Sequence, residues 1–510
     1  MYAIVAGRRP EAGLHPLTRE RLAIALFLLA AALFLFVDRQ TLPIILWDES
    51  RNVMNALEMR RTGLGLVTTY DFAPDLWNTK PPLLIWLMYG SMSVFGASEW
   101  ALRLPSALAA LATLLILILF VRQVTGSLAT ALGAGTLLLL SPGFFSEHGA
   151  RTADYDALLL FFTTAYLQLL FLALHRRRPP AKLALLIGVL IACAFLTKST
   201  AGIIAGAGVP LYLLVAKRLG RLLGGWRTYS LVAAAAVLPI LLFLIAREAA
   251  AAGYLQAMLH NDLVGRFQQS LIGRATQPTM YLETLISGWF LAGPLLVVAP
   301  FALPHLRGRK RAVFLFSLIV GFAQLAVCSV SATRLAHYIL PTLPWFATAI
   351  AVAAPALWAK HIAPHWRAGA RLQLSPALFY LLAIAVIGGI VTVRSLDWRY
   401  GGMAESRFSA EGRYGALFEV LAQRGIAQAD AVDPGFVLVE ERHATPLLDS
   451  YRFIWANRGL AVRHLTRMPA AGGTLLVSCS PPVVPLLLRK GTDVGGVSGC
   501  AAVRPTDSRS

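Results

Sequence analysis

Long apolar runs alternate with short polar connections through the first three quarters of the chain. Runs of about 16–21 apolar residues suit helices that cross the hydrocarbon core of a bilayer. They fall at 21–37, 103–121, 127–141, 155–175, 182–197, 201–216, 229–246, 284–303, 312–330, 339–358 and 376–394. The pattern predicts a polytopic α-helical membrane protein of about 11–13 spans. The first run has no small-residue cleavage site and is longer than a signal-peptide core, so it reads as an anchor. A further greasy stretch at 81–96 is short and broken, which suits a segment lying in the membrane surface.

Two connections are long, 38–100 and 247–283, and long ordered loops usually serve a function. Beyond 397 the apolar runs cease. The stretch 411–425 has the period of an amphipathic helix, and 435–440 and 473–479 read as strands. The expected organisation is a transmembrane unit over 1–396 followed by a small α/β domain over 397–510.

Composition agrees with this pattern. Hydrophobic residues make up 57% of the chain and charged residues 14%. A soluble domain averages about 45–50% and about 25%. The net charge is +20, and where it lies decides what it means. Arg8, Arg9, Arg19 and Arg21 precede the first run. Arg176, Arg177, Arg178 and Lys182 lie between the fourth and fifth, and Lys217, Arg218, Arg221 and Arg227 after the sixth. Arg307, Arg309, Lys310 and Arg311 follow the eighth, and Lys360, Arg367 and Arg371 the tenth. All fall on one side if the N-terminus is cytoplasmic, as the positive-inside rule requires. The charge therefore reads as topogenic, with no nucleic-acid partner. An odd number of spans places the C-terminal domain outside. Cys479 and Cys500 fall there, in a compartment where disulfides form, and paired and free thiols both remain open. Cys193 and Cys328 read as small core residues.

The scarce polar groups now acquire positions. Asp48, Glu49 and Arg51 follow the first span. Asn78, Thr79 and Lys80 precede the interfacial stretch. Arg151, Asp154 and Asp156 open the fourth span, and Lys198 lies in the turn after the fifth. His260, Asp262 and Arg266 lie in the second long loop, and Arg334, His337 and Tyr338 precede the tenth span. All are on the outer side. Ionisable groups near membrane depth are costly and usually functional. Cations there can hold an anionic headgroup while a carboxylate removes a proton.

Each group also has a plain structural reading. Asp48, Glu49, Asp154 and Asp156 suit helix starts, Lys198 can snorkel to headgroups, and Tyr338 suits an aromatic belt. His260 and His337 lack metal-ligand spacing, so no metal site is assigned from sequence. No cofactor motif is visible, and a divalent cation stays open.

The motifs WDESRN, TKPPLLIWL and SVFGASEWALRLPSALAAL resemble the first outer loop of GT-C integral-membrane glycosyltransferases of the aminoarabinose-transferase-like and protein O-mannosyltransferase kind. Glu99, Arg103 and Ser106 supply that family's Glu-x-x-x-Arg-x-x-Ser stretch. RTADYDALLLFF, FLTKSTAG, HNDLVGRF and RLAHYILPTLP resemble later motifs, so the resemblance spans roughly 20–350.

The resemblance implies a bacterial inner-membrane enzyme. It would pass a sugar, with inversion, from a polyprenyl-phosphate carrier to a lipid, glycan or protein acceptor on the periplasmic face. It makes Asp48 the candidate base and Asp156, or Asp154 in the competing register, the second acid. Glu49 and Arg51 would shape the site, and Lys80, Lys198 and Arg266 would hold the carrier phosphate. His260, Arg334, His337 and Tyr338 would complete the binding surface. Thr79 stands where many aminoarabinose-transferase-like sequences carry an acid, which implies a different donor. A secondary transporter and a non-catalytic assembly subunit are the competing classes. The sequence shows no internal repeat of the kind transporters carry.

Overall fold

The computed structural model describes residues 16–36, 44, 48–268, 277–363, 410–423, 436–439, 445–456, 462–465, 475–480, 482–494 and 499–505. The run at 376–394 lies outside the described residues. Setting helices of seven residues or fewer aside, the described residues form α1 (Pro16–Phe36), α2 (Asp48–Thr62), α3 (Leu83–Phe95), α4 (Glu99–Thr125), α5 (Leu128–Leu139), α6 (Tyr155–Leu174), α7 (Ala181–Lys198), α8 (Gly208–Val215), α9 (Trp226–Ala250), α10 (Gly308–Val330), α11 (Leu343–Leu357), α12 (Ala410–Gln423) and α13 (Thr445–Ala456).

Among the described residues, six helical stretches are long and apolar enough to cross a membrane: α4, α6, α7, α9, α10 and Ala336–His361, which contains α11. Shorter apolar helices cover Leu83–Phe95, Leu128–Leu139, Ala201–Val215 and Leu295–His305. The lipid-facing surfaces are visible in what stays exposed. On α1, Leu22, Leu26, Leu29 and Leu33 point outward at helical spacing, and on α9 Leu238, Leu241, Leu242 and Ile245 do so. Only 17% of the apolar window of α9 is buried, so most of that helix is covered by lipid rather than protein.

The predicted span at 201–216 is split into Ala201–Ile204 and α8, and the one at 284–303 departs further. The run 284–303 is not a single helix. Its regular geometry is interrupted at Gly288, whose φ is +120°, and resumes at Leu295–Val298 after Pro294. Glycine tolerates that backbone and proline removes a helix donor, so the chain breaks where apolar content alone predicts continuity.

The stretch 81–96 is helix α3. Leu84, Ile85, Met88 and Met92 are buried on one face of it. They join Val53, Met54 and Leu57 of α2 and Ala101 and Leu102 of α4 in a second apolar core beside that of the main bundle.

That second core continues into the C-terminal region. Tyr414, Leu417, Phe418 and Leu421 of α12 and Tyr451 and Ile454 of α13 belong to it. The Ile44 N–H donates to the Tyr451 hydroxyl at 2.9 Å, and the Ser450 hydroxyl to the Ser50 carbonyl at 3.3 Å. Behind these helices lies a five-stranded sheet of β3 (Phe436–Val439), β4 (Val462–Leu465), β5 (Leu475–Ser478), β6 (Gly491–Asp493) and β7 (Ala501–Pro505), in the order β4-β3-β5-β7-β6. The remaining strands, β1 (Thr69–Tyr70) and β2 (Ala73–Pro74), form a small hairpin in the first long loop. β3 runs parallel to both β4 and β5, with α13 as the crossover to β4, while β7 is antiparallel to β5 and β6. The helix and two strands expected from sequence are all present. Cys479 and Cys500 are disulfide-bonded, which joins the end of β5 to the residue before β7.

Candidate active site

α2 is mostly polar yet mostly buried, and Glu49, Ser50, Asn52, Asn55 and Glu58 are all inaccessible. Burying such groups is costly unless each finds a partner, and the partners define the site. Positions three or four apart on a helix are neighbours, so Arg51, Asn55 and Glu58 form one stripe and Glu49 and Asn52 another. Arg103 of α4 meets Glu49 through Nε at 2.6 Å and Nη2 at 2.8 Å, both side chains being 1% exposed. The Ala153 N–H donates to the same carboxylate at 2.9 Å. Glu49 is thus saturated and positions three segments. Ser106, one turn after Arg103, donates to the Asp154 carbonyl at 3.1 Å. The motif spacing therefore ties α4 to the loop before α6.

On the other stripe, Arg51 grips Asp75 with two hydrogen bonds of 2.8 Å and stacks its guanidinium over Tyr70 at 3.4 Å. Asp75 also accepts from the Trp77 and Asn78 N–H groups and from Asn55. Burial would raise its pKa, but Arg51, the Asn78 N–H and Asn55 outweigh burial and hold it below the usual carboxylate value. A depressed folded pKa means the stabilisation is present above the unfolded value and is lost as pH falls through the folded one. Asp75→Ala is expected to destabilise the protein by about 2 kcal/mol, because charge-assisted hydrogen bonds are lost. Thermal unfolding in detergent at neutral pH checks this, and the gap between variant and wild type should shrink in acid. Glu58 performs the equivalent task for the β1–β2 hairpin, accepting from Thr69 Oγ1 and from the Asp71 and Phe72 N–H groups.

The expected acids occupy three different settings. Asp48 begins α2, and no hydrogen bond or ion pair from the described residues engages its carboxylate. Asp156, in the first turn of α6, receives both of its 2.7 Å hydrogen bonds from Lys198 Nζ. Asp154 is buried just before α6 and accepts from Thr152 at 2.6 Å and from Asn52 at 3.1 Å. It faces His148, with Nδ1 3.4 Å from Oδ2. Burial lifts the Asp154 pKa to about 7 against the opposing pull of His148, and the negative charges of Asp48 and Glu49 add to the rise. Burial also disfavours the His148 cation, but Asp154, Asp156 and Asp48 overcome this and raise its pKa.

Lys198 is aimed by a sharp backbone reversal. Ser199 ends α7 with φ +51°, and Gly202 follows where an added Cβ would meet the Ala194 backbone at 2.5 Å. The Gly202 carbonyl accepts from Tyr166 of α6 at 2.9 Å. Lys198 and Asp156 share a pocket with Lys80, Asp262 and Tyr338, and its remaining wall is largely apolar, including Leu159, Ile204, Phe267, Val327 and Pro341. His337 is buried beside Tyr338, with ring centroids 4.9 Å apart. Arg334 donates to the Ser329 carbonyl at 2.9 Å. His260 is exposed on a π-helical segment (Leu259–Val264). The Arg266 side chain lies outside the described residues.

Sequence reasoning missed His148, Asp75 and Glu58. None stands in a periodic motif. The only local signals for His148 and Asp75 are the polar runs SEHGAR and YDFAPDLWN in otherwise apolar surroundings, and Glu58 lies in NALEMRRT, the end of α2.

Residues 79–245 match the family model described as dolichyl-phosphate-mannose-protein mannosyltransferase. An undecaprenyl phosphate-alpha-4-amino-4-deoxy-L-arabinose arabinosyl transferase 2 of Pseudomonas fluorescens is 25% identical over 329 residues, which is 64% of this chain and 55% of that protein. An uncharacterized protein of Aquifex aeolicus is 31% identical over 168 residues, 33% of this chain and 32% of its own length. The chain thus spans about a third to just over half the length of these curated relatives. The crystal structure of ArnT from Cupriavidus metallidurans bound to undecaprenyl phosphate superposes with a TM-score of 0.64 at 18% identity, covering 95% of this chain and 98% of that one. The chain is a polytopic helical membrane protein with the GT-C glycosyltransferase fold, similar over residues 79–245 to the dolichyl-phosphate-mannose-protein mannosyltransferase family.

Proposed function

We propose that the protein transfers a sugar from a polyprenyl-phosphate carrier to an acceptor hydroxyl on the outer face of the membrane, with inversion. The observation that carries this is the pocket: Lys80, Lys198 and Asp156 line it together with a largely apolar wall, and the charges of Asp48, Asp154, Asp156 and Lys198 all act on His148. An amphipathic lipid phosphate needs that pairing of apolar wall and cations.

In this reading the phosphate is the leaving group. Cations aimed at its developing charge lower the barrier, while Asp48 takes the proton of the acceptor hydroxyl. Lys198 already holds Asp156, so an arriving phosphate would share that cation, and Asp156 keeps it in position. The ArnT of known structure carries undecaprenyl phosphate, which makes that lipid the first carrier to test. Thr79, buried beside Lys80, argues for a donor other than an amino sugar.

The orientation follows from the helices that frame the pocket. α6 carries Asp156 in its first turn and ends before Arg176, Arg177 and Arg178. α7 returns from Lys182 to Lys198, and α10 rises from Arg309, Lys310 and Arg311 toward Ser331. The site and the basic clusters lie at opposite helix ends, which under the positive-inside rule supports a periplasmic site and C-terminal domain (397–510) with a cytoplasmic N-terminus.

Purified protein incubated with labelled polyprenyl-phosphate sugars and envelope extracts should release free polyprenyl phosphate. Absence of turnover with every donor, alongside uptake of a labelled solute into proteoliposomes, would overturn the reading in favour of a transporter. Lys80→Gln is expected to lower kcat/KM for the lipid donor about 100-fold, in the range for loss of one preorganised donor to a developing oxyanion. Initial rates across donor concentrations check it.

A further inference from the structure

The loop before α6 brings a histidine to a place where the transferase reading gives it no task. His148 lies on SEHGAR, its φ is +58°, and its backbone N–H is held by Thr152 Oγ1 at 2.9 Å. A non-glycine residue in left-handed backbone stays there only when its surroundings enforce it, and such residues gather at functional sites.

The imidazole lies against His337, which arrives from the segment before α11, with ring centroids 3.9 Å apart. A ligand atom of Asp48 completes the group: one atom from each of Asp48, His148 and His337 lies within 4.8 Å of the others. Three elements far apart in sequence thus converge their donor atoms. Behind His148 stands Asp154, with Nδ1 turned to its carboxylate at 3.4 Å. Asp154 is itself fixed by Thr152 and Asn52. A histidine oriented from behind by a hydrogen-bonded carboxylate is the arrangement that fixes tautomer and ring direction in metal ligands, and it leaves Nε2 for a cation.

We propose that Asp48, His148 and His337 bind a divalent transition-metal cation beside the lipid pocket, with Zn²⁺ as the best fit. Two imidazoles and one carboxylate are the donor set of zinc sites that keep a fourth position for water or substrate. Mg²⁺ and Ca²⁺ prefer oxygen-only surroundings. At this place the cation neutralises part of the acidic cluster and fixes the direction of Asp48. Binding itself does not depend on sugar transfer.

The test uses full-length protein in detergent, free of any histidine tag and stripped with a chelator. After equilibration with Zn²⁺ and desalting, elemental analysis should find one zinc per chain, and the thermal midpoint should rise with Zn²⁺. X-ray absorption on the Co²⁺ form of the wild type should show imidazole ligation. His148→Gln and His337→Gln should each lose the bound zinc and the zinc-dependent midpoint shift while eluting as the wild type does. A wild type that takes up no zinc or cobalt overturns the proposal. So does a double variant His148→Gln/His337→Gln that retains the wild-type zinc content. If the variants fail to fold, a wild-type cobalt spectrum without imidazole ligands overturns it alone. These readouts need no donor lipid, so the metal site and the transferase reading fail independently.

Discussion

Asp48→Asn is expected to lower kcat for sugar transfer by about 10²–10⁴-fold, the usual share of general acid–base catalysis. The donor KM should stay near that of the wild type, because the cations proposed to hold the phosphate are Lys80 and Lys198. In metal-free protein the stability of the variant should also be close to wild type. The Asp48 carboxylate takes no hydrogen bond from the described residues, so exchanging it for an amide breaks no packed network. Its neighbour Glu49 is the opposite case, saturated by Arg103 and the Ala153 N–H. A kcat loss with unchanged unfolding separates catalysis from scaffolding. A variant that transfers at the native rate removes Asp48 from the base role. His148→Gln and His337→Gln divide the effect further. They leave the Asp48 carboxylate in place, so any loss they share with Asp48→Asn belongs to the cation rather than to the base.

Glu49→Ala is expected to produce the largest stability loss, about 3–5 kcal/mol, the range for breaking a buried ion pair by removing one partner. The cause is the guanidinium left behind. Arg103 is 1% exposed within α4, and without Glu49 its charge is buried with less to balance it. The Ala153 N–H loses its acceptor as well, so the loop that carries Asp154 and His148 should loosen. Thermal unfolding in detergent measures the first effect, and hydrogen exchange across 146–154 the second. The double replacement Glu49→Leu/Arg103→Met should recover much of the loss, because a buried pair exchanged for packed apolar groups is often nearly neutral. If the double variant is as unstable as Glu49→Ala, the cost lies in the Ala153 hydrogen bond and the apolar refit rather than in the orphaned charge.

How far the site was legible depended on whether a residue sits in a local motif. Asp48, Lys80, Asp156 and Lys198 stand in short polar stretches bounded by apolar runs, and their common side followed from counting spans. The Asp156–Lys198 contact was not legible, because it depends on how α6 packs on α7 and on the reversal at Ser199 and Gly202. Nor could the two registers of the second acid be separated by spacing. The structure gives each carboxylate its own surroundings: Asp156 lies in the pocket with Lys198, and Asp154 lies behind His148. The break at Gly288 was concealed because hydropathy counts apolar residues without weighing their backbone freedom.

The sequence by itself determined that this chain lives in a membrane. It also marked its spans, which helix ends carry the basic clusters and which segments carry the chemistry. Those properties depend on composition and period along the chain, and each segment displays them alone. Only the tertiary structure decided that a polar helix could be buried, because its cost is offset by Arg103, Asp75 and the hairpin, which are distant in sequence. It alone joined Cys479 to Cys500, and it alone brought Asp48, His148 and His337 within reach of one cation. Donor atoms from three separate elements converge only through packing, and no periodicity along the chain encodes that.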